Sequence, residues 1–222
     1  LMGATKLTRK GADVLRVLAE TSCEFSEKDY LRSLTQAGKE LVNAQPAMAP
    51  IFNLVNYVFL KAADPSMSAE NMRLKTLKAV DAFLAEETHA REMIVKEAIG
   101  LFPDGGVVLT YSSSSTVEGA IVAASEMGMD FEVILSESRP VFEGRHLARA
   151  LCEKAIKAKF VTDASLFDMV SEANLILVGA DSIFKEGLIN KVGTLTLAIL
   201  ARNFKRPIYA LCQTTKFMSS FI

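Results

Sequence analysis

With 222 residues, half of them hydrophobic, the chain can bury one large core or two small ones, which excludes a disordered polymer. A formal net charge of -1 with dispersed Lys and Arg gives no electrostatic basis for direct nucleic-acid binding. Cys23, Cys152 and Cys212 lie far apart and form no Cys-x-x-Cys pair. Zinc-ligand spacing and a disulfide framework are therefore not expected, and the chain reads as reduced and cytoplasmic.

Up to about Leu101 the apolar residues recur at helical spacing. "KLTRKGADVLRVLAE" places Leu7, Val14, Leu15 and Leu18 on one stripe. "SEKDYLRSLTQAGKELV" opens on Ser26, a good N-cap, and offers Leu31, Leu34, Leu41 and Val42 for burial. "QPAMAPIFNLVNYVFL" predicts a third helix with Met48, Ile51, Phe52, Val55 and Phe59 in register. Ser68 caps a long fourth one with Met72, Leu77, Val80, Leu84, Ile94 and Ala98, ended by Gly100 and Pro103. No apolar run is long enough for a membrane span, and the N-terminal stretch lacks a signal-peptide core.

From Gly106 the period changes. "VVLTYS", "FEVILSES", "KFVTDA", "LILVGAD" and "IYALCQ" are short apolar runs. Helical stretches starting near Thr116, Gly144, Leu166 and Thr194 separate them. Continuous apolarity suits strands covered on both faces, and strand–helix–strand repetition implies a parallel Rossmann-like sheet. The fold class is thus α/β, with a helical domain over 1–103 and a Rossmann-like domain over 104–222. Ser115–Glu118 and Ser165–Asp168 read as capping boxes. Cys152 and Cys212 read as core residues.

Ligands of such sheets sit beyond the carboxyl ends of the strands. There the chain places "TYSSSS", "SESRP", "TDAS", "GADS" and "CQTTK". No GxGxxG follows the first strand and no P-loop occurs, so no nucleotide cofactor is expected, and no metal site either. The serine run has two readings. Either Ser115 caps the helix and Ser112, Ser113 and Ser114 form a solvated turn, or the run offers hydroxyls and backbone N–H groups to an anion. Arg139 either forks a phosphate or carboxylate, or pairs with Glu137 or Glu143. Asp181 is a turn cap or a general base for polyol chemistry. Asn190, Lys191 and Lys216 are hydroxyl and anion ligands or surface groups. His146 is a surface or capping residue.

As an ordered set, "ESRPVFEGRHLARAL", "VTDAS", "LVGADSI", "NKVGTLTLAILA" and "TTKF" resemble one family. It joins the α, β and δ regulatory subunits of eukaryotic initiation factor 2B to methylthioribose-1-phosphate isomerase and ribose-1,5-bisphosphate isomerase. The resemblance implies a helical domain before a Rossmann-like one, and a homodimer formed through the latter. It also implies a chain that continues past Phe217, so this copy is either shorter than its relatives or represented in part.

In the isomerases of that family a cysteine in a Thr-His-Cys-Asn-like stretch pairs with the aspartate of a Gly-Ala-Asp motif. An Asn-Lys pair and a later lysine position the sugar. The resemblance carries these roles to Asp181, Asn190, Lys191 and Lys216, but Thr110-Tyr111-Ser112-Ser113 puts Ser112 where the thiol belongs. A thiol titrates at about pH 8.5, within reach of acid–base work at neutral pH; a serine hydroxyl is a far weaker acid and needs an adjacent base. The phosphate-binding Arg-Gly-Ala segment is also replaced, by Asn43-Ala44-Gln45-Pro46. The resemblance therefore points to the regulatory, non-catalytic branch. It implies a cleft for a sugar phosphate or nucleotide lined by Ser112, Ser113, Ser114, Arg139, Asn190, Lys191 and Lys216, with a translation factor as the protein partner. The alternative is an aldose–ketose isomerase using Asp181 and Ser112.

Overall fold

The computed structural model describes residues 3–218. They fall into two units, one built from Arg91–Ala180 with Ile189–Gln213, the other from the described parts of Met2–Ala90, Asp181–Leu188 and Thr214–Ile222.

The helical unit contains α1 (Ala4–Thr21), α2 (Glu27–Ala44), α3 (Ala49–Ala62) and most of α4 (Ala69–Ile99). Ser26 caps α2 as expected, its hydroxyl accepting from the Asp29 N–H, and Ser68 accepts from Asn71 at the head of α4. The core gathers Leu15, Tyr30, Leu34, Leu54, Val58, Met72, Val80 and Phe83. Inside it the Tyr30 hydroxyl donates to Thr76 at 2.8 Å. Burial pushes the Tyr30 phenol above its ordinary range. One expectation fails here. Val14 is exposed, because α1 packs through Thr8, Gly11, Ala12, Leu15 and Ala19. Small residues let the neighbours close in, with Leu41 and Leu54 methyls 3.6 Å from where a Gly11 Cβ would stand. That turns the helix so that Val14 faces outward. The unit also holds a hairpin, β5 (Ser182–Phe184) and β6 (Gly187–Ile189), whose last residue, Ile189, belongs to the other unit. Ser182 is buried, receiving the Ala49 N–H and donating to the Ala47 carbonyl.

The other unit is the sheet. β1 (Gly106–Thr110), β2 (Phe131–Ser136), β3 (Ala158–Val161), β4 (Leu175–Val178) and β7 (Ile208–Ala210) run parallel in the order β3-β2-β1-β4-β7. Alternate side chains enter two separate cores. Val108, Val133, Leu135, Leu175 and Leu177 pack with α5 (Ser115–Glu126) and α6 (Gly144–Glu153). Leu109, Ile134, Ile176 and Val178 pack with α7 (Asp163–Asp168) and α8 (Thr194–Asn203). Cover on both faces explains why the central strands β1, β2 and β4 read as unbroken apolar runs, while the edge strands β3 and β7 are largely exposed.

Two helix starts differ from expectation. Ser114, not Ser115, caps α5: its backbone is extended and its hydroxyl accepts from Val117. Thr162, not Ser165, caps α7 in the same way, accepting from Ser165, and the helix begins at Asp163 rather than near Leu166. In each case the capping residue has an extended backbone, which lets its hydroxyl reach a free N–H of the first turn. Cys152 is exposed and Cys212 half-buried, against the core reading. Cys152 is turned away because α6 buries Gly144, Leu147 and Leu151. Among the described residues no helix is long and apolar enough to cross a membrane.

Candidate functional site at the strand ends

β1 pairs with β2 on one side and β4 on the other, so the chain reverses its direction of travel across the sheet at β1. A crevice outside the strand ends forms at such a switch point. The serine turn occupies it: Ser112 follows β1, and Gly179 follows β4. A Cβ on Gly179 would stand 2.8 Å from the Ser114 Cβ, so the two strand ends meet closely there.

The turn after β2 is tied down from below. Asp163, at the head of α7, accepts from the Ser136 hydroxyl at 2.6 Å, the Ser138 N–H at 2.8 Å and the Arg139 N–H at 2.7 Å. Ser138 in turn receives the Ser112 N–H on its hydroxyl at 2.9 Å. The two strand-end turns are thereby clamped through one buried serine. Ser112, Ser138 and Phe142 all hold positive φ, of 72°, 59° and 62°. Such conformations cost non-glycine residues roughly 1 kcal/mol or more and persist where surrounding contacts fix them. Gly144 opens α6 so close to β2 that a Cβ would sit 1.8 Å from the Ser136 carbonyl oxygen. Only glycine fits, and this close approach sets the position of Glu143.

Glu143 is the centre of the arrangement. Its Oε1 accepts from the Lys191 Nζ at 2.7 Å and from the Ser112 hydroxyl at 3.3 Å. The Lys191 side chain is 10% exposed and that of Glu143 21%, so this is a largely desolvated pair. Glu143 Oε2 is buried and has no hydrogen-bond partner among the described residues. The Asn190–Lys191 turn is pinned twice more. The Tyr111 hydroxyl donates to the Val192 carbonyl at 2.9 Å, and Asn190 Nδ2 donates to Thr194 Oγ1 at 3.1 Å. Burial, helped by the Asp163 and Glu143 carboxylates, pushes the Tyr111 phenol up to about 12.

The sheet unit brings Ser112, Glu143 and Lys191 into direct contact, with Ser113 half-buried beside them. Ser114 is committed to the helix cap. Arg139 pairs with Glu137 at 2.8 Å, lies over the Phe142 ring and is 67% exposed, the internal-pair reading of that residue. Asp181, half-buried, and Lys216, buried at 5% exposure, belong to the helical unit, and both have partners there or elsewhere in the fold. His146 is exposed. Tyr111, Ser138, Asp163 and Thr194 escaped the sequence reading. Asp163 had a local signal, an aspartate between an apolar strand and a helix in "VTDAS"; the others had none. Among the described residues no three His, Cys, Asp or Glu gather into a metal-holding group.

Chemically, this cluster can hold polar groups through the Ser112 hydroxyl, the Glu143 carboxylate and the Lys191 ammonium. A serine hydroxyl becomes a nucleophile or acid only beside an available base. The carboxylate that Ser112 meets already accepts an ammonium on the same oxygen.

Comparison with known proteins agrees with this fold. The model of the initiation factor 2 subunit family matches residues 1–222. The crystal structure of translation initiation factor eIF-2B from Pyrococcus horikoshii OT3 superposes with a TM-score of 0.89 at 33% identity, covering 99% of this chain and 76% of that one. The tetrameric eIF2B-beta2-delta2 complex from C. thermophilum gives a TM-score of 0.79 at 25% identity over 98% of this chain and 74% of that one. Ribose 1,5-bisphosphate isomerase of Methanocaldococcus jannaschii is 28% identical over 218 residues, 98% of this chain and 69% of the relative.

Proposed function

Since the chain belongs to the initiation factor 2 subunit family, we propose that it is a non-catalytic, initiation-factor-2B-like protein whose strand-end site binds a phosphorylated sugar or nucleotide. The observation that carries this reading is the state of Ser112. It stands where the family resemblance implies a thiol in the isomerases, and its hydroxyl meets a carboxylate already engaged by Lys191. That arrangement supports binding, because the carboxylate oxygen that Ser112 meets is already engaged by an ammonium. The serine turn at the head of α5 adds a helix N-terminus, which favours negative charge. Ser112, Ser113, Asn190 and Lys191 are the proposed contacts, with Ser114 holding the turn and Arg139 at its exposed edge. Lys216 is a proposed further contact, carried by the resemblance alone. Calorimetry with a panel of sugar phosphates and nucleoside monophosphates tests this. Heat with at least one is expected; no heat with any at millimolar sensitivity removes the ligand.

A second reading has its own support. Gly179-Ala180-Asp181 and Asn190-Lys191 keep the isomerase pattern, and a ribose 1,5-bisphosphate isomerase is among the relatives. In that case Asp181 moves the proton and Ser112 only holds an oxygen. Turnover of ribose 1,5-bisphosphate or methylthioribose 1-phosphate, lost in Asp181→Asn, would establish it.

The protein is further proposed to form a homodimer through the sheet unit and to engage a translation factor. Similarity to a tetrameric eIF2B complex supports assembly in general. Light scattering coupled to gel filtration reads the dimer directly: a monomer mass at micromolar concentration overturns it.

A further inference from the structure

Lys191 is a nine-tenths buried cation whose ionic partner among the described residues is Glu143. Glu143 is itself poorly satisfied. One oxygen serves both the ammonium and a long serine contact, while the other is buried without a partner among the described residues. A carboxylate taken out of water normally recovers its desolvation by using both oxygens, and a buried acceptor left unpaired is costly. The residue before it, Phe142, is held at a φ of 62°. The pair is therefore held by the surrounding fold, not by an optimal set of hydrogen bonds.

We infer that Glu143 is a specificity-determining residue that stands in for the ligand's anion on Lys191, so that a phosphate group gains this ammonium only by displacing the carboxylate. This rests on the proposed phosphate-bearing ligand, and it says what the ligand must bring. An incoming monoanionic carboxylate merely matches Glu143. A phosphate dianion carries more charge and more acceptor oxygens, enough to satisfy the ammonium and the Ser112 hydroxyl together. The site would thus reject carboxylates and neutral sugars and admit phosphate esters. The remaining neighbours are consistent. Asp163 has both oxygens filled by Ser136, Ser138 and Arg139, and Glu137 is occupied by Arg139. Glu143 is thus the carboxylate that contacts Lys191 and Ser112.

The test is phosphate affinity with the pair altered. Inorganic phosphate and ribose 5-phosphate are titrated into the wild type, Glu143→Gln, Lys191→Met and the double variant. Glu143→Gln keeps the shape and removes the competing charge, so affinity for inorganic phosphate should rise about tenfold, and the double variant should lose that gain. Acetate should not bind the wild type. Phosphate affinity unchanged or weakened in a folded Glu143→Gln overturns the inference, as does a gain that survives in the double variant. If Glu143→Gln does not fold, Glu143→Asp serves. Its shorter arm loosens the grip on Lys191, and phosphate affinity should again rise by at least about threefold, or the inference fails. Failure of ribose 5-phosphate with the wild type bears on the proposed function instead. The gain in Glu143→Gln reads the stand-in role whether or not the wild type binds.

Discussion

Replacing Lys191 with methionine breaks the Glu143–Lys191 pair from one side. At 2.7 Å the two charges attract by about 6 kcal/mol at an effective dielectric near 20, and desolvation of both groups offsets most of this. Removing one partner leaves a carboxylate that already lacks a partner on Oε2 and now keeps only the 3.3 Å Ser112 contact on Oε1. For fully buried pairs such losses run to about 3–5 kcal/mol. Glu143 retains 21% exposure, so water can reach part of it, and we expect about 2–3 kcal/mol. In the Glu143→Gln/Lys191→Met double variant no charge is left buried, and stability should return to within about 1 kcal/mol of wild type. Urea unfolding followed by far-UV circular dichroism gives the four corners of the cycle. A coupling of about 2 kcal/mol is expected. If Lys191→Met alone unfolds within about 0.5 kcal/mol of wild type, the pair is solvent-screened and the account of the site is wrong.

Other consequences follow from single positions. Gly144→Ala puts a methyl 1.8 Å from the Ser136 carbonyl oxygen; backbone must move, and a loss of about 3 kcal/mol or more is expected in the same urea assay. The Tyr111 phenol, held up to about 12, favours the fold while it is neutral. That contribution is complete below pH 10, the unfolded value, and disappears as pH rises through about 12. Tyrosinate absorbance near 295 nm should therefore include a late component that Tyr111→Phe removes, and a spectrum fully developed by pH 10.5 would contradict the burial argument. Tyr111→Phe also releases the Val192 carbonyl and should weaken sugar-phosphate binding several-fold in calorimetry, because the Asn190–Lys191 turn loses a pin. Asp181→Asn should leave ribose 1,5-bisphosphate untouched, as the wild type does, when both are followed by NMR.

Much of the fold was readable because two periods alternate in the sequence. The change from helical spacing to unbroken apolar runs at Gly106 marks β1, and for the central strands β1, β2 and β4 the sheet order explains those runs by covering both faces. Local choices between neighbouring residues were less legible. Ser114 and Ser115 are chemically equivalent caps, and the strand end at Gly179, packed against Ser114, accompanies the choice of the first. The hairpin β5–β6 has strands of 3 residues each, too short for any period to register. Val14 was misread because the small residues of α1, not its large ones, face the neighbours.

The site was legible in its parts and not in its wiring. Ser112, Arg139, Asn190 and Lys191 stand at strand ends or the returning turn, where polar residues after apolar runs announce them. That Lys191 would spend its charge on Glu143, 48 positions earlier, follows from the parallel crossover topology and leaves no trace in local spacing. Asp163 likewise acts 24 or more positions from the groups it holds, through the adjacency of β2 and β3.

Phosphorus NMR of ribose 1,5-bisphosphate in the presence of the protein tests the central claim, ligand binding without turnover, in one measurement. The account predicts resonances that shift or broaden on addition of protein and a substrate signal that persists at the buffer rate. Conversion to a ketose bisphosphate faster than in buffer would contradict it, as would sharp, unshifted resonances here together with no heat from any ligand of the calorimetric panel.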